Sequence, residues 1–332
     1  MLKQATWRWA GLVLLLILLV GCGGPSAPEA VAPTPSLLGS DGLALVDPAT
    51  VSGGIEITGS STVYPLTARM AEDFAADGSS AQIDIKITGT GGGLRSFCNG
   101  DPFELINASR MINEEEISAC RAQGREPVGF QVGIDALAVV VNPANRFVDA
   151  LNYAQLAAIF SGQAQTWADL DPTFPAEPIA IYSPGVDSGT FDYFVEAILD
   201  GESSQLLDLP GALLSEDDLE LVQGIEENAN AIGYFGFAYY FAESERLRAV
   251  PIDGGSGSVV PGADSVADGS YPLARPLFLY TSPNVLRDHP AAAAFLSYYL
   301  QHVDEVIAEV GYFPVSSAVT ASSQQALVQA LR

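Results

Sequence analysis

Three short turns of small residues, Gly59-Ser60-Ser61-Thr62, Gly89-Thr90-Gly91-Gly92-Gly93 and Asp187-Ser188-Gly189-Thr190, each follow a strand-like run and open a helix-like one. Repetition of strand, turn and helix argues for an α/β architecture, because parallel strands need a crossover helix between them. The surrounding pattern agrees. Positions 55–58 read as a strand, and Pro65 suits the first turn of a helix carrying Met70, Phe74 and Ala75. Positions 83–87 alternate as a second strand, and 94–98 look helical. Asn113 with Glu116 three residues on signals a helix start, and the apolar run 136–141 reads as a strand buried on both faces, so largely parallel sheets are expected. Turns of this kind aim free amides and the positive end of a helix at an anion. Three of them imply a site that grips a small oxyanion from several sides, beyond the carboxyl ends of the strands.

The first residues address the chain for export. Lys3 and Arg8 precede an apolar run over 10–20, too short to span a bilayer comfortably, so 1–21 reads as a signal peptide. The ending Leu19-Val20-Gly21-Cys22 resembles the lipobox of bacterial lipoproteins, which implies that Cys22 carries a lipid and anchors the mature protein to a membrane. Residues 22–51, rich in Gly, Pro, Ala and Ser, read as a flexible tether.

Charge then narrows the partners. The sequence has 14 Lys+Arg against 40 Asp+Glu, a net charge of −26. Such an acidic surface disfavours nucleic acid and anionic lipid. It also repels a free anion at long range, so an anion site must work through local amides, hydroxyls and one or two arginines. Export makes a disulfide between Cys98 and Cys120 the expectation for the remaining cysteines.

Beyond the tether, an ordered set of segments carries a resemblance: the turn from Gly59 through Tyr64-Pro65, Gly89 to Gly93, Asn107-Ala-Ser-Arg110, Ile159-Phe-Ser-Gly162 followed by Trp167, Asp187 to Thr190, Ile232-Gly-Tyr-Phe-Gly-Phe237 and Gly311-Tyr-Phe-Pro314. Together they resemble the phosphate-binding proteins of bacterial phosphate ABC transporters. That likeness implies an α/β, two-lobed periplasmic-binding-protein (type II) fold with a ligand cleft between the lobes. Lobe one would be 54–133 plus 272–332, and lobe two 134–271. The family's function would be extracytoplasmic capture of inorganic phosphate by a monomer, without cofactor or chemical change, and delivery to ABC permease subunits in the membrane.

By the same resemblance, phosphate would meet Ser61, Thr62 and Val63 in the first turn, Thr90, Gly91 and Gly92 in the second, and Ser188, Gly189 and Thr190 in the third. Two departures stand out. Relatives carry Asp where this chain has Arg110, and Arg where it has Pro184. The expectation is therefore a relocation, with Arg110 gripping the phosphate oxygens and Asp187 orienting it or receiving a ligand proton. Other oxyanions such as sulfate or molybdate, and a surface phosphate sensor or adhesin, are the alternatives.

Enzymatic readings find little support. His289 and His302 have no motif partner for Ser61 or Ser188, no Gly-x-Ser-x-Gly elbow is present, and neither a metal-ligand spacing nor a Walker ending follows the glycines. Arg95 reads as an exposed helix residue and Tyr64 as packed against the turn. Trp167 and the aromatics at 234–240 read as core rather than as a sugar platform.

Overall fold

The computed structural model describes residues 37–39, 42–186 and 188–332; the signal segment, Cys22, the tether up to residue 36 and Asp187 lie outside the described residues. The folded body starts earlier than composition suggests. Leu37 is packed in the core, Leu38–Gly39 pairs with Gly42–Leu43, and Asp47 caps a short 3-10 turn, Pro48–Thr50, so the tether reading does not extend to residue 51.

Nine strands form one sheet. In chain order they are β1 (Ser52–Gly59), β2 (Ser80–Ile87), β3 (Leu105–Ala108), β4 (Val128–Val141), β5 (Ala180–Pro184), β6 (Leu213–Ser215), β7 (Ala231–Gly236), β8 (Arg248–Ala249) and β9 (Ala274–Thr281). Their spatial order is β2-β1-β3-β9-β4-β7-β5-β6, with β8 also on β4. Helices that follow strands directly include α1 (Tyr64–Ala76) after β1, α2 (Thr90–Asn99) after β2, α3 (Glu114–Ala122) after β3, α4 (Gly189–Ile198) after β5, α5 (Asp218–Glu227) after β6 and α6 (Phe237–Ala242) after β7. Two long helices, α7 (Pro290–Val310) and α8 (Ser317–Ala330), come after β9 in the chain. No helix among the described residues is long and apolar enough to cross a membrane.

The sheet is mixed rather than largely parallel. Pairs β1/β2, β1/β3, β5/β6 and β5/β7 are parallel, as the strand-turn-helix repeats require. The centre differs, because β9 runs antiparallel to β3 and β4, and β7 antiparallel to β4. The reason is connectivity. β9 returns from far along the chain and inserts between β3 and β4, a placement no local pattern announces.

Two hydrophobic cores lie along this sheet. One is built by β1, α1, α7 and the first half of β4, with Phe74, Phe130, Phe295 and Tyr299 fully buried. The other takes the second half of β4 with β5, β7 and α4, and encloses Trp167, Phe194 and Tyr234. Phe194 stacks on Tyr234 with ring centroids 3.9 Å apart, so these aromatics are interior packing, as expected. Strand β4 therefore belongs to both cores and spans the boundary between them at Gly133 to Asp135.

Local signals explain the helix starts. Pro65 sits in the first turn of α1. Asn113 and Glu116 form a reciprocal capping box on α3, whose first turn carries three glutamates and whose last carries Arg121, as the helix dipole favours. Gly59 ends β1 at φ +130°, where a Cβ would stand 2.1 Å from the Asn107 carbonyl oxygen, so the entry to the first turn admits only glycine.

A small satellite core joins α2 to α3 through Leu94, Phe97 and Ile106, and here Cys98 and Cys120 form the disulfide with Cα atoms 4.0 Å apart. The bond closes a loop of 22 residues. Replacing both cysteines by serine is expected to lower the unfolding free energy by about 3 kcal/mol. Urea denaturation of wild type and variant under non-reducing conditions measures it; equal midpoints would show that the bond contributes nothing.

Candidate functional site

Arg275 is the one charged residue of strand β9 and Asp135 the one charged residue of β4; the sheet register sets these two directly opposite each other. Both are nearly inaccessible, at 7% and 4% exposure. Arg275 Nε donates to Asp135 Oδ2 at 3.2 Å. Burial pushes the Asp135 carboxyl up, while Arg275 pulls it back down; the desolvation of a fully enclosed acid prevails.

The rest of the guanidinium reaches across the boundary. Nη1 donates to Ser109 Oγ at 3.3 Å, and Nη2 donates to Thr62 Oγ1 and to the Gly189 carbonyl at 3.2 Å. Its face lies 3.7 Å from the Tyr193 ring centre, and Glu196 Oε2 is 3.7 Å from Nη1. One cation thus touches turns that follow β1, β3 and β5. Two of these are small-residue turns singled out in the sequence, and the glycine turn after β2 joins them indirectly, through Thr90 and Ser109.

Each turn is fixed by its own bonds. Thr62 Oγ1 donates to the Gly189 carbonyl at 3.3 Å, and its own carbonyl accepts from Tyr312 Oη at 2.6 Å. Ser61 Oγ donates to Asp192 Oδ2 at 2.7 Å, a second bond between the β1 turn and α4. Val63 is fully buried ahead of α1, and Tyr64 beside it is more than one-third exposed, not packed. Thr90 Oγ1 accepts from the Ser109 amide at 3.1 Å and lies 3.1 Å from Ser109 Oγ, which ties the glycine turn to the turn after β3. Ser188 Oγ accepts from the Thr190 amide at 3.2 Å and so caps α4. At Gly189 a Cβ would meet Thr62 Cα at 3.0 Å, so glycine is what lets the two turns touch.

Arg110 stands at the edge of this cluster rather than in its middle. Its guanidinium makes a two-pronged bond with Glu116, at 3.0 and 2.9 Å, and is about one-third exposed. Burial acts to raise the Glu116 carboxyl, yet the bonds from Arg110 and the Asn113 amide hold it below the usual carboxylate range. A Cβ on Gly91 would lie 3.3 Å from Arg95 Nη1 and 3.5 Å from Arg110 Nη2, so both arginines overlie the glycine turn next to Gly92.

A cleft of about 480 Å³ opens beside the cluster, lined by Ser61, Thr62, Asp135, Gly189, Thr190 and Tyr312, among others. Chemically the place offers hydroxyls that can donate or accept, oriented amides, a guanidinium and a carboxyl able to take a proton. Neither histidine belongs to it, since His289 pairs with Glu104 and His302 with Glu305. Among the described residues no cluster of His, Cys, Asp or Glu could hold a metal ion.

Sequence reasoning missed Ser109, Asp135, Asp192, Tyr193, Arg275 and Tyr312. A signal existed for two of them: a lone charge inside each of two apolar strands, of opposite sign, is the pattern of a buried cross-strand pair.

Similar proteins bear on the arrangement. The model of the PBP superfamily domain matches residues 46–302. Protein SphX of Synechocystis sp. is 39% identical over 279 residues, 82% of this chain and 82% of the relative. Phosphate-binding protein PstS of Staphylococcus saprophyticus is 33% identical over 261 residues, covering 78% of this chain and 80% of the relative. Among solved structures, a possible phosphate binding protein from Planctomyces limnophilus is similar at 36% identity and TM-score 0.79, covering 85% of this chain and 100% of that one. A putative phosphate ABC transporter substrate-binding protein with bound phosphate from Clostridium perfringens is similar at 25% identity and TM-score 0.55, covering 79% and 100%.

Arg275→Met leaves Asp135 enclosed without its counter-charge, which is expected to cost about 3 kcal/mol or more of stability at pH 7. An acid whose carboxyl is raised by folding costs stability only where the unfolded chain ionises it. The penalty is therefore small below the carboxylate's unfolded pKa and grows as pH rises through the carboxylate range. Urea unfolding at pH 4 and pH 7 tests this; a loss independent of pH would point to packing instead.

Proposed function

We infer the function from one premise: the chain belongs to the PBP superfamily and, within it, to the phosphate-binding proteins of phosphate ABC transporters. It captures inorganic phosphate outside the cytoplasm and delivers it, chemically unaltered, to an ABC permease. The observation that carries the site is the Arg275 guanidinium, which hydrogen-bonds Thr62, Ser109 and Gly189 at the boundary of two cores.

Phosphate is held, on this reading, where Thr62, Val63, Thr90, Ser109 and the Ser188-Gly189-Thr190 turn converge. Amides of Val63, Gly91, Gly92 and Gly189 and the hydroxyl of Ser61 complete the donor set. Arg275 supplies the central cation and Arg110 a flanking one, drawn from Glu116 toward the ligand. This revises the expectation that Arg110 alone replaces the missing arginine. Asp135, with its raised carboxyl lining the cleft, is the described group suited to receive the proton of hydrogen phosphate; Asp187 is the other candidate. Such an acceptor disfavours sulfate, which has no proton to give.

Two lobes are proposed to meet at this cleft, 54–133 with 272–332 and 134–271, and to part and close around the ligand. Support comes from the two cores and from the Thr62–Gly189 and Ser61–Asp192 contacts between them. Lipid attachment at Cys22 after removal of 1–21 would hold the monomer at a membrane, near its permease.

Calorimetry of the purified body against phosphate and sulfate tests the reading. Phosphate binding with at least hundredfold weaker sulfate binding is expected; equal affinity would favour a general oxyanion receptor, and none would end the proposal. Gly189→Ala, which pushes the two turns apart, and Arg110→Ala are each expected to weaken phosphate binding tenfold or more while the free protein's melting temperature stays nearly unchanged. Normal affinity in either variant would remove that residue from the site.

A further inference from the structure

Helix α4 presents two carboxylates to donors that belong to other segments of the chain. Asp192 Oδ2 accepts from Ser61 Oγ at 2.7 Å, and Glu196 Oε2 stands 3.7 Å from Arg275 Nη1. The two acids are four residues apart, so they share one face of α4, in the turns that follow its Ser188-Gly189-Thr190 start. Between them in sequence, Tyr193 faces the Arg275 guanidinium, with its ring centre 3.7 Å from Cζ. Phe191, Tyr193, Phe194 and Val195 are buried, whereas Asp192 and Glu196 are exposed, Glu196 over 56% of its side chain. A similar arrangement recurs on α3, where Glu116 grips Arg110 beside the glycine turn.

Ordinary reasons cover only part of this. An acid in the first turn suits the helix dipole, which accounts for Asp192 on α4 but not for its bond to Ser61, nor for Glu196 one turn further on. Arg275 needs no second counter-ion, since Asp135 is paired to it in the interior. An exposed acid at such a distance also adds little to stability. What the two acids share is the identity of the donors they meet, because Ser61 and Arg275 are the hydroxyl and the cation assigned to phosphate. We propose that Asp192 and Glu196 are placeholder carboxylates, which hold these donors whenever phosphate is away and are displaced when it arrives, so that they set how tightly the site holds its ligand. The proposal rests on the phosphate-capture reading.

The exchange follows from the two kinds of anion. Each carboxylate brings two oxygens on a side chain of its own, whereas a tetrahedral dianion brings four around one centre and can meet Ser61, Thr62 and Arg275 together. Phosphate therefore displaces both acids in one event, while an anion with a single carboxylate gains too little to do so. Displacement costs little because both acids are exposed, so a released side chain is hydrated at once and leaves no charge buried without a partner. In the opposite direction the same acids stand beside the bound dianion, repel it and compete for its donors, which holds the affinity below what the donors alone would give.

The test is calorimetry of the purified protein against phosphate, with Asp192→Asn and Glu196→Gln made singly and together. Both changes keep the size of the side chain, and an amide at 192 can still accept from Ser61. The combined variant is expected to bind phosphate about tenfold tighter than wild type, each single variant falling between, while the melting temperature of the free protein stays nearly unchanged. The gain should persist in ~1 M salt, where the screening length is about 3 Å, because displacement acts at contact. A gain that vanishes in salt would make the two acids part of the general negative field, weaker binding would make them supports of the bound state, and unchanged affinity would leave them as structural contacts of α4. Each of these results overturns the proposal and leaves the phosphate reading intact. A wild-type protein without phosphate affinity would remove the reading and the proposal together.

Discussion

The pairing of Arg275 with Asp135 is the contact on which the rest of the site depends. Two ions removed from water stabilise a fold little on balance, since their attraction roughly offsets the cost of desolvation. The pair therefore explains position better than stability. It lies on adjacent antiparallel strands at the boundary between two cores, and a slip of one residue in that register would turn Arg275 to the other face of the sheet. Sheet register thus fixes a guanidinium in the one place from which it can reach the β1, β3 and β5 turns.

Given that anchor, the small residues around it become intelligible. Glycine at 59 permits β1 to end against the Asn107 carbonyl, and glycine at 189 permits the β5 turn to approach Thr62. The hydroxyls of Thr62 and Ser109 accept from Arg275, and that of Thr90 bonds to Ser109; each can exchange a protein partner for a ligand oxygen. Tyr193 and Tyr312 close the surroundings, and burial raises both phenols so that they stay neutral donors.

What the sequence disclosed was local. Small-residue turns, the Asn113–Glu116 box and the apolar run at 136–141 are written in adjacent residues, and the structure contains each of them. The early part of β4 was hidden because Gly129 and Gly133 weaken the strand pattern; they are there because Tyr280 and Ile307 fill the space a Cβ would need. Long-range placement was illegible for a different reason. Ser109 and Arg275 are 166 positions apart, and nothing near either residue reports the insertion of β9 between β3 and β4. Arg110 stands inside a recognisable motif, whereas Arg275 announces itself only as a lone charge within a run of mostly apolar residues.

The same geometry resolves how so acidic a chain can hold an anion. At ~0.15 M salt the repulsion of distant carboxylates is screened within about 8 Å, so the field at the cleft is set by its nearest groups. The two arginines of the site come as ion pairs, Arg275 with Asp135 and Arg110 with Glu116. A pair has little net charge but directs N–H groups outward, so recognition rests on oriented donors rather than on a positive potential. A site built this way gains little from any passing anion and most from one whose oxygens match the donors and whose proton meets a carboxyl. Selectivity then follows from hydrogen-bond count, and the surface is free to carry the negative charge that keeps copies apart.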